Sequence, residues 1–194
     1  MMKENAKTMG VDTDNIALAL ASGDYHSIKM TGQITDRIFK NGVLVEERVG
    51  HNLVVNTALN LIMALLKRQS GYSGIQYWAV GSGASSWDSG LPSPTAGDTR
   101  LTAEIGRVAI DPSEIVFLNG NLQVSSTPTN IIQITHTFGV NDCNGKWREF
   151  GIFGGNATSS ANSGIMINKR NHEVITKTSE MTVERVMRFT LSLA

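Results

Sequence analysis

Apolar and polar residues alternate, with few exceptions, along two segments near opposite ends of the chain. Residues 28–38 alternate in this way, and residues 181–191 do so again. Successive side chains of a β-strand point to opposite faces, so a period of two is typical of a strand with one face in the core. The chain is therefore expected to build antiparallel sheet with one buried face.

Turn signals separate many such strands. Asn41 and Gly42 both tolerate positive φ, so they predict a tight hairpin from the first strand onto residues 43–49. Many short strands and one helix indicate a mainly β fold, either an antiparallel β-sandwich or a flattened barrel. The further strands are predicted at residues 75–80, 101–110, 115–118, 122–126, 131–138, 146–153, 165–168 and 182–191.

The last of these strands carries one charge on its apolar side. Arg185 shares that side with Val183 and Met187. A charge on an apolar face needs a partner or water. We expect Arg185 to mark a sheet edge or a contact between subunits.

One α-helix is predicted at about residues 56–68, packed on a face of the sheet. Asn56 is its expected N-cap, because its side chain can accept from the free amides that open a helix. The apolar residues at helical spacing are Leu59, Ile62, Met63 and Leu66. We expect this side of the helix to be core rather than a partner-binding stripe.

The chain divides into a polar lead and one domain. Residues 1–26 are either a mobile terminus or an extended arm that pairs with a neighbouring subunit. Residues 27–194 are expected to form a single β-rich domain with a Gly/Ser/Pro-rich loop at 81–97. Trp87, in the middle of that loop, can serve as an exposed anchor for a partner or sugar, or can fold back onto the core.

Composition limits the possible partners. The 194 residues hold 17 Lys+Arg and 17 Asp+Glu, a formal net charge of +0. No broad attraction to nucleic acid or to an anionic membrane is expected, and near-neutral copies are less protected against self-association. Cys143 is the single cysteine, so folding in a reducing cytoplasm suffices. We expect neither a secretory signal nor a membrane anchor, because the lead never becomes continuously apolar.

Motifs for chemistry are lacking in the sequence. Gly81 and Gly83 follow a predicted strand, but Trp87 and two prolines stand where a phosphate-binding helix would begin. The four histidines are scattered without metal-ligand spacing, and no pair of carboxylates is singled out for acid/base work. We therefore expect no enzyme, no cofactor and no metal.

Three segments, in this order, resemble a known family. They are residues 52–59 (NLVVNTAL), residues 79–83 with 98–107 (AVGSG and DTRLTAEIGR), and residues 147–155 (WREFGIFGG) with Lys177, Thr178 and the final strand. This set is similar to small structural proteins of tailed bacteriophages, found in tail fibres, baseplates and related contractile machines. The three segments together cover most of residues 28–191.

The resemblance implies a non-enzymatic virion subunit made in the host bacterial cytoplasm. It would be a baseplate or tail-fibre/adaptor component that binds copies of itself, in a trimeric or sixfold arrangement, and neighbouring tail or neck proteins. A neck or collar component is one alternative. The other is a lectin-like, receptor-binding module that holds a host-surface glycan with Tyr72, Trp78 or Trp87.

Two charged pairs within these motifs have a structural interpretation. Arg148 and Glu149 are neighbours on a predicted strand, so their side chains point to opposite faces. Glu104 and Arg107 are natural partners for them, because a partly buried charge needs pairing. We expect these four residues to form architectural salt bridges.

Overall fold

The computed structural model of the chain describes residues 28–193. The expected N-terminal arm, residues 1–26, lies outside the described residues. Residues Met30–Leu191 form one compact unit.

Within the described residues, the chain forms ten β-strands and one α-helix, so the mainly β prediction is confirmed. The helix α1 spans Thr57–Leu66, and two short 3-10 helices span Ser85–Asp88 and Pro112–Glu114. The strands are β1 (Ile28–Lys40), β2 (Val43–Val54), β3 (Ser73–Gly81), β4 (Glu104–Ala109), β5 (Ile115–Leu118), β6 (Val124–Ser125), β7 (Ile131–Phe138), β8 (Gly145–Gly155), β9 (Ile165–Lys177) and β10 (Met181–Leu193).

All ten strands belong to one antiparallel sheet, in the order β4-β3-β8-β9-β2-β1-β10-β7-β5-β6. Over the described residues this sheet is not closed, so the barrel alternative is not formed. A single apolar cluster combines side chains from β3, β8 and β9 with side chains from β1, β7 and β10. Because the two sets lie on either side of β2 in the strand order, the sheet folds over on itself like a sandwich.

The predicted first hairpin is present. Asn41 and Gly42 adopt φ values of 50° and 78°, and Lys40 pairs with Val43 directly across the turn. Along β1 the alternation places Ile34 and Ile38 in the core and leaves the residues between them at least partly exposed, apart from buried Asp36. Positive φ at both central residues is what a tight hairpin turn requires.

A buried ion pair lies at the centre of the core. Nε of Arg185 is 2.6 Å from Oδ1 of Asp36, and Nη2 is 2.9 Å from Oδ2. Two parallel hydrogen bonds make an arginine–carboxylate pair both strong and directional. Arg185 is fully buried and its strand β10 lies between β1 and β7, so the expectation of a sheet edge or subunit contact is wrong.

Aromatic rings surround this guanidinium. Its central carbon lies 4.2 Å from the ring centroid of Phe150 and 5.6 to 5.9 Å from the rings of Trp78, Trp147 and Phe138. A cation over a ring face is attracted by the quadrupole of the ring. Burial alone would raise the pKa of Asp36, but the neighbouring Arg185 holds this pKa below its ordinary value.

Strand β9 continues well beyond its predicted end. The sequence pattern ended it at Asn168, but it runs to Lys177 through a polar stretch. Lys169, His172 and Lys177 are all buried in it. The apolar pattern gave no signal for this half, because these side chains find polar partners instead of apolar ones.

The helix forms where it was predicted, but its contacts differ from those expected. The Asn56 side chain makes no capping hydrogen bond, and the hydroxyl of Thr57 donates to the carbonyl of Met166 instead, at 2.6 Å. The residues that α1 buries are Ala58 and Leu61. Most of the predicted core side is exposed: Leu59, Met63 and Leu66 are each more than half exposed, and Ile62 is half-buried.

We predict that Asp36→Asn lowers the free energy of unfolding by about 3–5 kcal/mol, because it leaves the guanidinium of Arg185 buried without a counter-charge. The double variant Asp36→Leu/Arg185→Met should lose clearly less, since it buries no unpaired charge. Urea denaturation measures both values. As a control, Glu180→Gln changes an exposed ion pair with Lys40 and should leave the midpoint unchanged. A double variant that is less stable to urea than Asp36→Asn would contradict this account.

We also predict that the protein loses stability in mild acid because of His172. Burial, together with the charge of Arg185, lowers the pKa of His172 from 6.5 to about 4. Between these values the unfolded chain binds the proton and the folded chain does not, so stability falls as the pH drops from about 6.5 to about 4, by roughly 3 kcal/mol. Urea unfolding at several pH values should therefore show a smaller acid loss for His172→Gln. Equal losses in the two proteins would exclude His172 as the cause.

Candidate interaction surfaces

The Gly/Ser/Pro-rich loop at 81–97 is folded against the domain. Trp87 is nine-tenths buried and its ring covers Gly83, where φ is 66° and an added Cβ would meet the ring. Of the two alternatives for Trp87, the structure has the one in which the side chain folds back. A buried indole offers no face to a partner or a sugar.

Three contacts tie this loop down. The side chain of Asn171 donates to the carbonyl of Pro92 at 2.8 Å, and the amide of Asn56 donates to the carbonyl of Ala96 at 2.8 Å. Arg148 forms an ion pair with Asp88 at 2.8 Å. The loop is thus fixed to β8, to β9 and to the start of α1.

The other two aromatic candidates differ in exposure. Trp78 is fully buried beside Arg185, so it cannot contact a partner. Tyr72 is half-buried and lines a shallow groove along α1 with Met63, Ala64 and Ile165. Of the three predicted contact residues, Tyr72 alone remains accessible.

All four charged residues of the motifs are paired, but the expected pairs between Glu104 or Arg107 on one side and Arg148 or Glu149 on the other do not form. Glu104 and Arg107 bind each other through two hydrogen bonds of 2.6 and 2.8 Å, and both are buried at their side chains. Arg148 pairs with Asp88 rather than with this pair. The expectation that Glu104 and Arg107 pair with Arg148 and Glu149 was wrong, because Glu104 and Arg107, three residues apart, pair with each other instead.

Glu149 binds backbone instead of an arginine. Its carboxylate, fully buried, accepts from the amides of Thr102 and Ala103 at 2.9 and 2.8 Å. Nζ of Lys169 lies 3.4 Å from the same carboxylate and 3.3 Å from a carboxylate oxygen of Asp98. Glu149 thereby fastens the segment before β4 onto β8. Of these bonded residues, Asp98, Thr102 and Lys169 also line an open polar pocket nearby.

The exposed side of α1 is apolar. Leu59, Met63 and Leu66, at positions i, i+4 and i+7, are 58 to 73% exposed, whereas Leu65 lies on the sheet side with Ala58 and Leu61 and is 40% exposed. We call Leu59, Met63 and Leu66 the helix face. Exposed apolar residues that occur together on a surface, unlike scattered ones, are typical of interaction sites.

Next to the helix face, a cavity of about 300 Å³ opens between α1 and the sandwich. Eight of its eleven lining residues are half-buried or exposed, so among the described residues it is open to solvent. Apolar side chains and one glycine line it: Met30, Ala58, Leu61, Ile62, Leu65, Gly74, Ile75, Ile115, Ile132, Ile167 and Leu191. The space is at the small end of the range of ligand pockets, about 300–1,000 Å³, but it lacks the polar groups that usually orient a small molecule.

A second apolar surface lies at the hairpin between β1 and β2. Val43, Leu44 and Val45 are half to two-thirds exposed, and we call them the tip. Over the described residues, this part of β2 pairs with β1 alone. The sequence did carry a signal for the tip, because three consecutive apolar residues break the alternation and cannot all face the core.

The tip and the cavity lie at opposite ends of the same strand. Met30 of β1 lines the cavity, whereas Lys40 of β1 pairs with Val43 of the tip. Ten residues of extended strand span roughly 33 Å. The tip therefore cannot reach the cavity of its own compact unit.

Metal-binding clusters, a reactive thiol and membrane-spanning helices are all lacking among the described residues. They contain no cluster of three His, Cys, Asp or Glu residues able to hold a metal ion. Burial raises the pKa of the Cys143 thiol to about 11, so it carries little thiolate at neutral pH. As far as the structure describes the chain, none of its helices has the length and apolar character needed to cross a membrane.

No family model matches the chain, and no curated protein matches it significantly.

We predict that Glu149→Gln loosens the segment that Glu149 fastens. A glutamine has one acceptor oxygen and turns donor hydrogens toward the second amide, so the amides of Thr102 and Ala103 lose protection. Their hydrogen exchange should accelerate roughly 10- to 100-fold, equivalent to the 1–3 kcal/mol of an unsatisfied buried group. Exchange in β10 should stay unchanged. The matched control is Asp88→Asn, which alters an exposed carboxylate. If this variant accelerated exchange at Thr102 and Ala103 equally, the role given to Glu149 would be contradicted.

Proposed function

We propose that this protein is a non-enzymatic structural subunit of a bacteriophage tail, most specifically a baseplate or tail-fibre/adaptor component. It associates with copies of itself and docks on neighbouring tail proteins. The observation that carries the proposal is the pair of apolar surfaces at opposite ends of β1, the tip at one end and the helix face with its cavity at the other. A subunit that contacts one neighbour on each of two sides needs two such surfaces.

The motifs that resemble phage structural proteins support the proposal by their place in the fold. Residues 147–155 form most of β8, and the matching final strand is β10. Phe150 of β8 is the ring nearest to Arg185 of β10. Glu149 of the same motif fastens residues 102 and 103, which belong to the second motif. The second and third resembling segments thus pack against each other in one framework.

The lectin-like alternative receives less support. It needs an aromatic face that a sugar can cover, and both Trp78 and Trp87 are buried. Tyr72, at the groove beside α1, is left as the one accessible candidate among the three residues.

We predict that the purified protein forms a discrete multimer. Light scattering behind a sizing column, over a wide concentration range, measures its molar mass. Because the surfaces are apolar, the mass should barely change between about 0.05 and about 0.5 M salt and should fall on cooling. A multimer that dissociates in salt instead would point to ion pairs and away from these surfaces.

The position of the protein within a phage particle needs a separate experiment. A gold-labelled antibody against the purified protein is applied to phage particles released by the bacteria that encode it, and the label is located by electron microscopy. Label at the tail or its end supports the proposal. Particles that contain the protein elsewhere, or that lack it, contradict the tail assignment whatever the molar mass of the purified chain.

A further inference from the structure

The tip and the cavity have complementary properties. The tip presents Val43, Leu44 and Val45 at the end of a two-stranded hairpin, more than half of it open to water. The cavity is open, about 300 Å³ in volume, and lined by apolar side chains and Gly74. Leaving both in water is unfavourable, because each Å² of apolar surface removed from water contributes about 25 cal/mol.

We propose that the tip of one copy inserts into the cavity beneath α1 of the next copy. A tip that fills the cavity must come from another molecule, because about 33 Å of β1 separates the two sites within one unit. A second copy fits better than another protein of similar character, since one contact between copies covers both apolar sites at once. Copies with a formal net charge of +0 also do not repel one another at long range.

The contact is heterologous, because two different surfaces of the chain meet. Such contacts repeat from copy to copy and produce a closed ring when the rotation between copies closes, or a filament when it does not. The tip is held in place for this role. Asn41 at the turn donates its amide to the carbonyl of Glu180 at 2.9 Å, and Lys40 pairs with the carboxylate of Glu180 at 3.2 Å. A fixed hairpin loses little conformational freedom on binding.

Two variants break the two sides separately. Leu44→Glu puts a charge on the tip, and Leu65→Glu puts a charge at the mouth of the cavity. Each position is partly exposed, so the charge is tolerated in the free subunit but would be buried in the contact. Each variant alone should associate at least about tenfold more weakly than the wild-type chain.

Mixing the two variants is the decisive measurement. Leu44→Glu retains an intact cavity and Leu65→Glu retains an intact tip, so the mixture should form a one-to-one dimer that cannot grow further. Light scattering gives the mass, and a small tag on one variant gives the stoichiometry. If the contact joined two helix faces or two tips, no such dimer would form, and one of the single variants would associate like the wild type.

Matched controls separate the cavity from the rest of the surface. Asn60→Glu adds the same charge to the same helix at an exposed residue that lines the other groove, and Val124→Glu adds it to an exposed valine of β6. Both should associate like the wild type. Leu44→Thr and Leu65→Thr remove apolar surface without a charge, and they replace any glutamate variant whose unfolding midpoint falls.

The inference rests on the self-association in the proposed function, and the outcomes distinguish the two. A wild-type chain that stays monomeric at every concentration contradicts both. A wild-type multimer that Leu44→Glu or Leu65→Glu leaves intact, or that Asn60→Glu abolishes equally, overturns the tip-to-cavity contact alone. So does a mixture that yields no dimer. The antibody labelling of particles tests the tail assignment independently.

Discussion

The ion pair between Arg185 and Asp36 is the constraint on which the rest of the sandwich depends. Neither charge can stay in an apolar core without the other, so β1 and β10 must pair in the register that brings them together. Phe150 of β8 then packs on the same guanidinium, which places the opposite half of the folded sheet over it. Apolar packing alone tolerates many arrangements of similar volume, whereas two directional hydrogen bonds tolerate one.

The same pair explains where sequence patterns succeeded and where they did not. Alternation located most of the strands, because period two is a property of the strand itself; β5 and β7 have the predicted limits. Alternation says nothing about a charge that is buried with a partner on a distant strand. Arg185 was therefore expected at an edge, and β9 was expected to end before Lys169, although both residues lie inside. Long-range pairing has no local signature in a single sequence.

The surfaces were harder to predict than the core for a related reason. Leu59, Met63 and Leu66 follow helical spacing as a core face does, and spacing cannot tell which side of a helix meets the sheet. The helix buries Ala58 and Leu61 against the sheet, where Gly154 leaves room for the Leu61 side chain. Trp78 and Trp87 were candidates because tryptophan suits interfaces, but large rings suit cores equally. At the tip, by contrast, three apolar residues in succession did break the strand pattern.

The length of strand β1 relates the buried ion pair to the two apolar surfaces. The buried residues of β1 run from Gly32 to Ile38, so the strand must be long enough to carry Asp36 to Arg185 and still reach both ends of the sandwich. That length holds the cavity at Met30 and the tip at Val43 apart. Two apolar surfaces on one flexible chain would collapse onto each other. Held at opposite ends of a stiff strand, they can be covered by other molecules instead, which is the physical requirement for a subunit that assembles.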